Sequence, residues 1–346
     1  MVSRATGRGV VGFAIVSRSR SLVPLGLLVV IATACSSSNP PPHHSGTRTE
    51  SPSAHPSGPV RLAVTNAGFS LPAPVQREVA AARGGTILLA GGLSSAGAST
   101  DGVFTLDPNT GNVAQLGTVP QAFHDAAGAV MGNRLVVFGG GSATSVDTVQ
   151  AFDLGSRRGA VIGHLPTALS DVSSAQIGQT VYLVGGYDGT TPQSSIYATK
   201  NGTSFTKAGS LQSGLRYTTV AGVGGELIVA GGTPGTGAVD TVQSFDPASG
   251  KTTLLGHLPS PVAHASAFVL GGHVFVVGGS DAAGNAVRTV TRIDPSTGKV
   301  TALKPLAQPV SDSGTAVLGD AAWLVGGQRG AAVAQILRAT LAHHPT

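Results

Sequence analysis

Residues 266–279 read Ser-Ala-Phe-Val-Leu-Gly-Gly-His-Val-Phe-Val-Val-Gly-Gly. Two short apolar runs flank one Gly pair, and the second run ends in another. Gly accepts positive φ without strain, so Gly271-Gly272 predicts a tight primed turn joining strands 266–270 and 273–277. The same phrase recurs. Apolar runs closing on Gly-Gly stand at 86–92, 134–140, 180–186, 226–232, 273–279 and 321–327, with final glycines spaced 48, 46, 46, 47 and 48 residues apart. Eight residues before each final glycine is a further one: Gly84, Gly132, Gly178, Gly224, Gly271 and Gly319. A period of this size marks a repeat architecture.

Downstream of each doublet come a polar loop, a third apolar run and often Asp-Pro-x-x-Gly, as in VFTLDPNTG at 103–111, VQSFDPASG at 242–250 and VTRIDPSTG at 290–298. Asp-Pro opens a turn and Gly closes it, leading into a fourth strand such as 299–303. Four antiparallel strands per repeat make one propeller blade. The expected fold is therefore all-β, a six-bladed β-propeller over residues 60–341. Composition agrees: 50 Gly and 21 Pro with only 11% charged residues exclude a long-helix protein. The sixth doublet is followed by one clear strand, 333–340. The segment 60–72 is expected to supply that blade's missing outer strand and so close the ring.

The Gly-Gly doublets, the Asp-Pro after the third strand, and His264-Ala265 ahead of a hairpin resemble the kelch repeat family. The resemblance covers roughly residues 60–341 and implies a propeller. Two departures stand out. The fourth-strand Trp typical of kelch is replaced by Val113, Gly159, Phe205, Thr252 and Val300, and the Arg before the repeat His is largely absent. Kelch-like propellers include galactose oxidase and sialic-acid mutarotases, so the resemblance also implies carbohydrate chemistry as an alternative role. The copper-radical version needs a Cys cross-linked to Tyr, and the single cysteine, Cys35, lies outside the propeller.

Residues 1–34 carry Arg4, Arg8, Arg18 and Arg20 and no acid, followed by an apolar run at 22–34. This pattern reads as a secretory signal, too short for a comfortable membrane span. Ile31-Ala32-Thr33-Ala34-Cys35 resembles a bacterial lipobox, which makes Cys35 the expected lipidation site; an ordinary signal peptide cleaved nearby is the alternative. Residues 35–59, rich in Ser and Pro, read as an unfolded tether, and 342–346 as a short tail. Beyond the leader, 17 of the 21 basic side chains remain against 16 acids, a balance that does not favour nucleic-acid binding. The expected location is the extracytoplasmic side of a bacterial membrane, lipid-anchored, or secreted if the cysteine is unmodified. The chain reads as a monomer.

The residue 15 before each final glycine is Arg77, Asp125, Asp171, Tyr217, His264 or Asp312; its predecessor is Gln76, His124, Ser170, Arg216, Ala263 or Ser311. Quasi-equivalent positions are expected to ring one mouth of the central channel, where convergent polar groups make a ligand site. Arg77, His124, Asp125, Asp171, Arg216, Tyr217, His264 and Asp312 are the candidates. Polar residues at such a mouth also simply face water. The three aspartates come from different blades, so they act as paired acids or cation ligands only if they converge. No catalytic residue, cofactor or metal site is assigned, because no phosphate-cradling loop, nucleophile elbow or metalloprotease motif occurs. His164 and His257, each in Gly-His-Leu-Pro, are expected to make a structural hydrogen bond. Two functions remain: a membrane-tethered binding or scaffolding module for a protein or cell-envelope glycan, or a sugar-binding or carbohydrate-active protein of mutarotase or lyase type.

Overall fold

The computed structural model describes residues 61–342. The segments read as leader (1–34) and tether (35–59), with Cys35, and the tail beyond Ala342 lie outside the described residues. No helix occurs among those described.

The described chain opens with β1 (Arg61–Gln76). The first blade holds β2 (Val79–Arg83), β3 (Thr86–Ala90), the two-residue β4 (Leu93–Ser94) in a loop, β5 (Thr100–Leu106) and β6 (Val113–Phe123). The second holds β7 (Ala127–Met131), β8 (Arg134–Phe138), β9 (Thr148–Asp153) and β10 (Arg158–His164). In the third are β11 (Ser173–Ile177), β12 (Thr180–Val184), β13 (Ser195–Thr199) and β14 (Thr206–Ser210). The fourth comprises β15 (Thr219–Val223), β16 (Glu226–Ala230), β17 (Thr241–Asp246) and β18 (Lys251–His257). The fifth comprises β19 (Ser266–Leu270), β20 (His273–Val277), β21 (Val290–Ile293) and β22 (Val300–Ala302). The sixth supplies β23 (Gly314–Leu318), β24 (Ala321–Val325) and β25 (Val333–Ala342). Within each blade the strands pair antiparallel in chain order. In the last sheet the order runs β23-β24-β25-β1-β4. There β1 pairs with β25 from Arg61↔Ala342 to Asn66↔Leu337, then shifts register twice before Val75↔Val333.

Packing follows from burial. The second strand of each blade is a continuous apolar run, because both its faces are covered by neighbouring blades. Six hydrophobic clusters result, one at each seam between successive blades, the sixth joining the last blade to the first. All of these cores lie within 61–342, so the propeller is self-contained as a folding unit. The aromatic wedge missing from the fourth strands is replaced from the third. Phe152 and Phe245, fully buried, each end a third strand and fill the space over Gly117 and Gly209 of the preceding blade's outer strand. The first strands face the axis with small side chains such as Ala80, Gly128, Ser174 and Ala267, which line a channel cavity of about 220 Å³.

Candidate functional site

Six quasi-equivalent residues begin the blades at one end of the channel, and all six have left-handed backbone: Arg77 (φ 60°), Asp125 (55°), Asp171 (56°), Tyr217 (53°), His264 (57°) and Asp312 (57°). The conformation aims each N–H along the ring at its neighbour. Asp125 donates to the Arg77 carbonyl (3.3 Å), Asp171 to Asp125 (2.8 Å), Tyr217 to Asp171 (3.0 Å), His264 to Tyr217 (3.1 Å), Asp312 to His264 (3.0 Å) and Arg77 to Asp312 (2.8 Å). These bonds form a closed annulus of backbone around the mouth. The residue ahead of each member bridges to the loop just after the Gly-Gly doublet, as in His124↔Gly141, Ser170↔Tyr187, Arg216↔Thr233 and Ser311↔Gln328. The loops are thereby pinned to the same face.

The annulus brings all eight candidate side chains together. Arg77 sits between two acids, with Nη1 donating to Asp125 (3.1 Å) and Nε 3.2 Å from Asp312. Asp312 is paired with His264 Nδ1 at 2.6 Å, and its second oxygen accepts from Ser311 and Gln328, both at 2.7 Å. On the other side Arg216 is paired with Asp171 and donates to the Tyr217 hydroxyl at 2.9 Å. Its guanidinium lies 4.2 Å from the Tyr187 ring centre and 4.6 Å from that of Tyr217, within cation–π range. Tyr217 in turn stacks on His264, with ring centres 3.6 Å apart. His124 Nε2 is 3.6 Å from Asp125, and its Nδ1 bonds Ser99 at 2.8 Å. The side chains of Asp171 and Asp312 are 2% and 3% exposed, whereas the two arginines are 25% and 23% exposed. The acids form a buried floor and the guanidinium groups the surface above it.

Three acids share two arginines, and the protonation pattern follows. Burial opposes ionisation of Asp312, yet the His264 hydrogen bond and charge, with Arg77 and Gln328, hold it down at about 2. Asp125 has only a share of Arg77. Burial, with Asp171 and Asp312 nearby, pushes it up to about 7 against the pull of that arginine. Burial also lowers His124, and Arg77 lowers it further. For Arg77 burial works against the charge, but the Asp125 and Asp312 carboxylates outweigh it and raise the guanidinium pKa. Above the floor is a cavity of about 290 Å³, lined by Arg77, Asp125, Tyr187, Arg216, Tyr217 and the hydroxyl-rich loop 142–145. His264 and Asp312 do not line it. Among the described residues no three His, Cys, Asp or Glu side chains converge in a metal-holding arrangement, since arginines lie between the aspartates. His164 and His257 each bond an aspartate, Asp147 at 3.1 Å and Asp240 at 3.0 Å, as structural links far out on the blades.

Residues 261–307 match the family model described as the Kelch motif. The span takes in the four strands of the fifth blade together with His264, and the other five blades repeat its pairing around the ring. The fifth blade is a Kelch motif, and the six-bladed ring around it fits a kelch-repeat propeller. No curated protein matches the chain. The kelch fold is in general that of a protein-binding or scaffolding module.

Two residues of the mouth, Gln328 and Glu78, were not legible in the sequence, whereas Tyr187 reads from sequence as part of a mouth-face loop, 187–189, able to contact a partner. Tyr187 lies one residue past a doublet, and Gln328 occupies the same place in the last blade. The antiparallel bridge between that position and the ring's predecessor residue is the signal that would have found Gln328. Glu78, next to Arg77, is 7% exposed, and its Oε1 accepts from the Gly314 N–H at 3.4 Å across the seam between last and first blades. Burial pushes its carboxyl up to about 8, with Asp312 adding to the rise. A single charged residue ahead of an apolar run carries no period that would have singled it out.

Proposed function

We propose that this propeller is a membrane-tethered, extracytoplasmic binding module that holds a protein or cell-envelope ligand at its channel mouth. The lipobox-like 31–35 stretch and the tether-like 35–59 stretch support the anchoring. The carrying observation for the site is the annulus: six positive-φ positions with no glycine among them, in a chain with 50 glycines. Glycine is the unstrained choice there, so charged and aromatic side chains are kept at a conformational cost, which points to use. Most of their charges are paired within the ring, Asp171 with Arg216 and Asp312 with Arg77 and His264, while Asp125 has only a share of Arg77. What faces outward is hydrogen-bond donors, aromatic rings and loop hydroxyls, which suits a polar ligand held by many modest contacts more than a reaction centre.

The carbohydrate-active reading keeps one observation, the His264–Asp312 pair, a geometry in which an acid orients an imidazole as a base. The distinguishing experiment is a binding screen of the purified chain against cell-envelope extract by cross-linking and against a glycan panel, repeated with Asp171→Ala and His264→Ala. A saturable ligand weakened at least tenfold by both variants supports the mouth. Turnover of a sugar that is abolished by His264→Ala with binding retained supports the enzyme. A partner bound equally well by both variants places binding elsewhere. Anchoring is read separately, as the mass of the mature N-terminus and its loss of membrane association in Cys35→Ser.

A further inference from the structure

We infer that a basic groove on the propeller wall, between β1 and the fifth blade, docks onto an anionic phospholipid surface. The inference rests on the tethered reading above for its geometry, and its test is separate. Strand β22 has three residues where the equivalent β10 and β18 have seven. The chain therefore leaves the fifth blade early, and a groove of about 730 Å³ opens between residues 301–307 and the first turns of pairing along β1. It continues into a second cavity of about 460 Å³ through the shared residues Val64, Thr65, Leu306 and Ala307.

The lining is segregated in charge. Arg61, Arg288, Arg292 and Lys304 border the larger cavity, Arg329 the smaller, and no acid lines either. Residues 61–342 hold 16 Lys and Arg against 15 Asp and Glu, and five of those cations line this groove with no acid among them. Arg288 is fixed in place by its Nε donating to the Leu306 carbonyl at 2.5 Å. Leu62, Val64 and Leu303, only partly buried, give the groove an apolar floor. Cations around an apolar trough match a phosphate headgroup with the start of its acyl chains, and a cluster of at least four Lys and Arg beside a membrane anchor is what anionic lipid recognises.

Position supplies the second line of support. The chain enters the propeller at Arg61, on the lip of this groove, 26 residues after Cys35. On the tethered reading, a 26-residue coil would span about 28 Å. An anchor at Cys35 would hold the groove within that reach of the bilayer, at an effective concentration where weak headgroup contacts suffice.

The test uses the isolated propeller, residues 57–346, in flotation with vesicles of phosphatidylcholine alone or of phosphatidylcholine mixed with roughly one third phosphatidylglycerol, which gives the surface a negative potential. Expected is binding to the anionic vesicles only, weakened at least tenfold by Arg61→Ser with Lys304→Ser, and lost in high salt. Both substituted residues are exposed, and an unchanged melting temperature shows that the variant is folded. Equal binding to both vesicles, binding insensitive to the two substitutions, or displacement from the groove by the chain's own 36–59 segment overturns the inference. So does a soluble acidic peptide or polyphosphate that binds the groove while anionic vesicles do not. If the mature chain proves unlipidated but groove-dependent binding persists, the tethered reading fails and the docking surface stands.

Discussion

An L side chain at φ near +57° crowds its own backbone and costs about 1 kcal/mol relative to glycine, yet six such residues form the annulus. This reverses the usual order of helix and strand substitutions, in which alanine outperforms glycine. Asp125→Gly is expected to be more stable than Asp125→Ala by about 1 kcal/mol in urea denaturation, since both lose the same Arg77 contact and differ only in backbone strain. An alanine variant as stable as the glycine one would remove the strain from the account of this site. Glu78 gives a prediction in pH. Its carboxyl titrates near 8 in the folded chain and in the ordinary Glu range when unfolded. Between those values the native state holds a proton that the unfolded state lacks, so stability falls as pH rises from about 4.5 to about 8 and is flat beyond. The loss is on the order of 5 kcal/mol for a fully buried group. Glu78→Gln removes this slope. Its melting temperature relative to the parent should rise between pH 5 and about pH 8 and level off above, and a pH-independent difference would show that Glu78 ionises freely in the fold.

The blade seams were half legible. The doublets, the hairpin glycines and the Asp-Pro turns are local signals whose backbone requirements appear directly in residue type, so strand number, order and blade count could be read from the chain. The positions of Arg77, Asp125, Asp171, Tyr217, His264 and Asp312 on one rim followed from phase alone. Their left-handed backbone and the ordering of their ion pairs did not, because both arise from contacts some 48 residues apart, such as Arg77 with Asp125. The wedge was likewise hidden. Absence of the fourth-strand Trp predicts thin seams, whereas the structure moves the aromatic to the third strand and makes room with a glycine opposite. A Cβ on Gly209 would clash with the edge of the Phe245 ring, and one on Gly117 would lie 2.8 Å from Phe152. Gly209→Ala is therefore expected to cost about 2 kcal/mol by overpacking, and Phe245→Ala about 4 kcal/mol by leaving a cavity. In the double variant the added methyl enters the vacated space. Its cost should fall below the sum of the two by at least 1 kcal/mol. Additive costs would mean that the two residues do not form one packing unit.

At the scale of the whole ring two devices join the ends of the chain. One is the backbone annulus, in which Arg77 donates to the Asp312 carbonyl. The other is β1, which lies along β25 and brings Leu62, Val64, Phe69 and Leu71 against the last blade. The two differ in what they bury. The annulus is a single hydrogen bond at the seam, worth about 1 kcal/mol net, while four apolar side chains, most of them partly buried, contribute about 5 kcal/mol. The hydrophobic strand should dominate closure. Removal of residues 61–72 is then expected to lower the melting temperature by about 10 °C or more in a domain of this size. Trp323, the only tryptophan, reports the seam directly, because its ring stacks on Phe69 with centres 6.2 Å apart and is otherwise buried. The truncated chain should show red-shifted tryptophan emission and easier quenching before global unfolding, as the last blade loses its cover. An unchanged melting temperature with unshifted emission would mean that the annulus and the core between the last and first blades close the ring, and that β1 is an appendage laid over an already complete propeller.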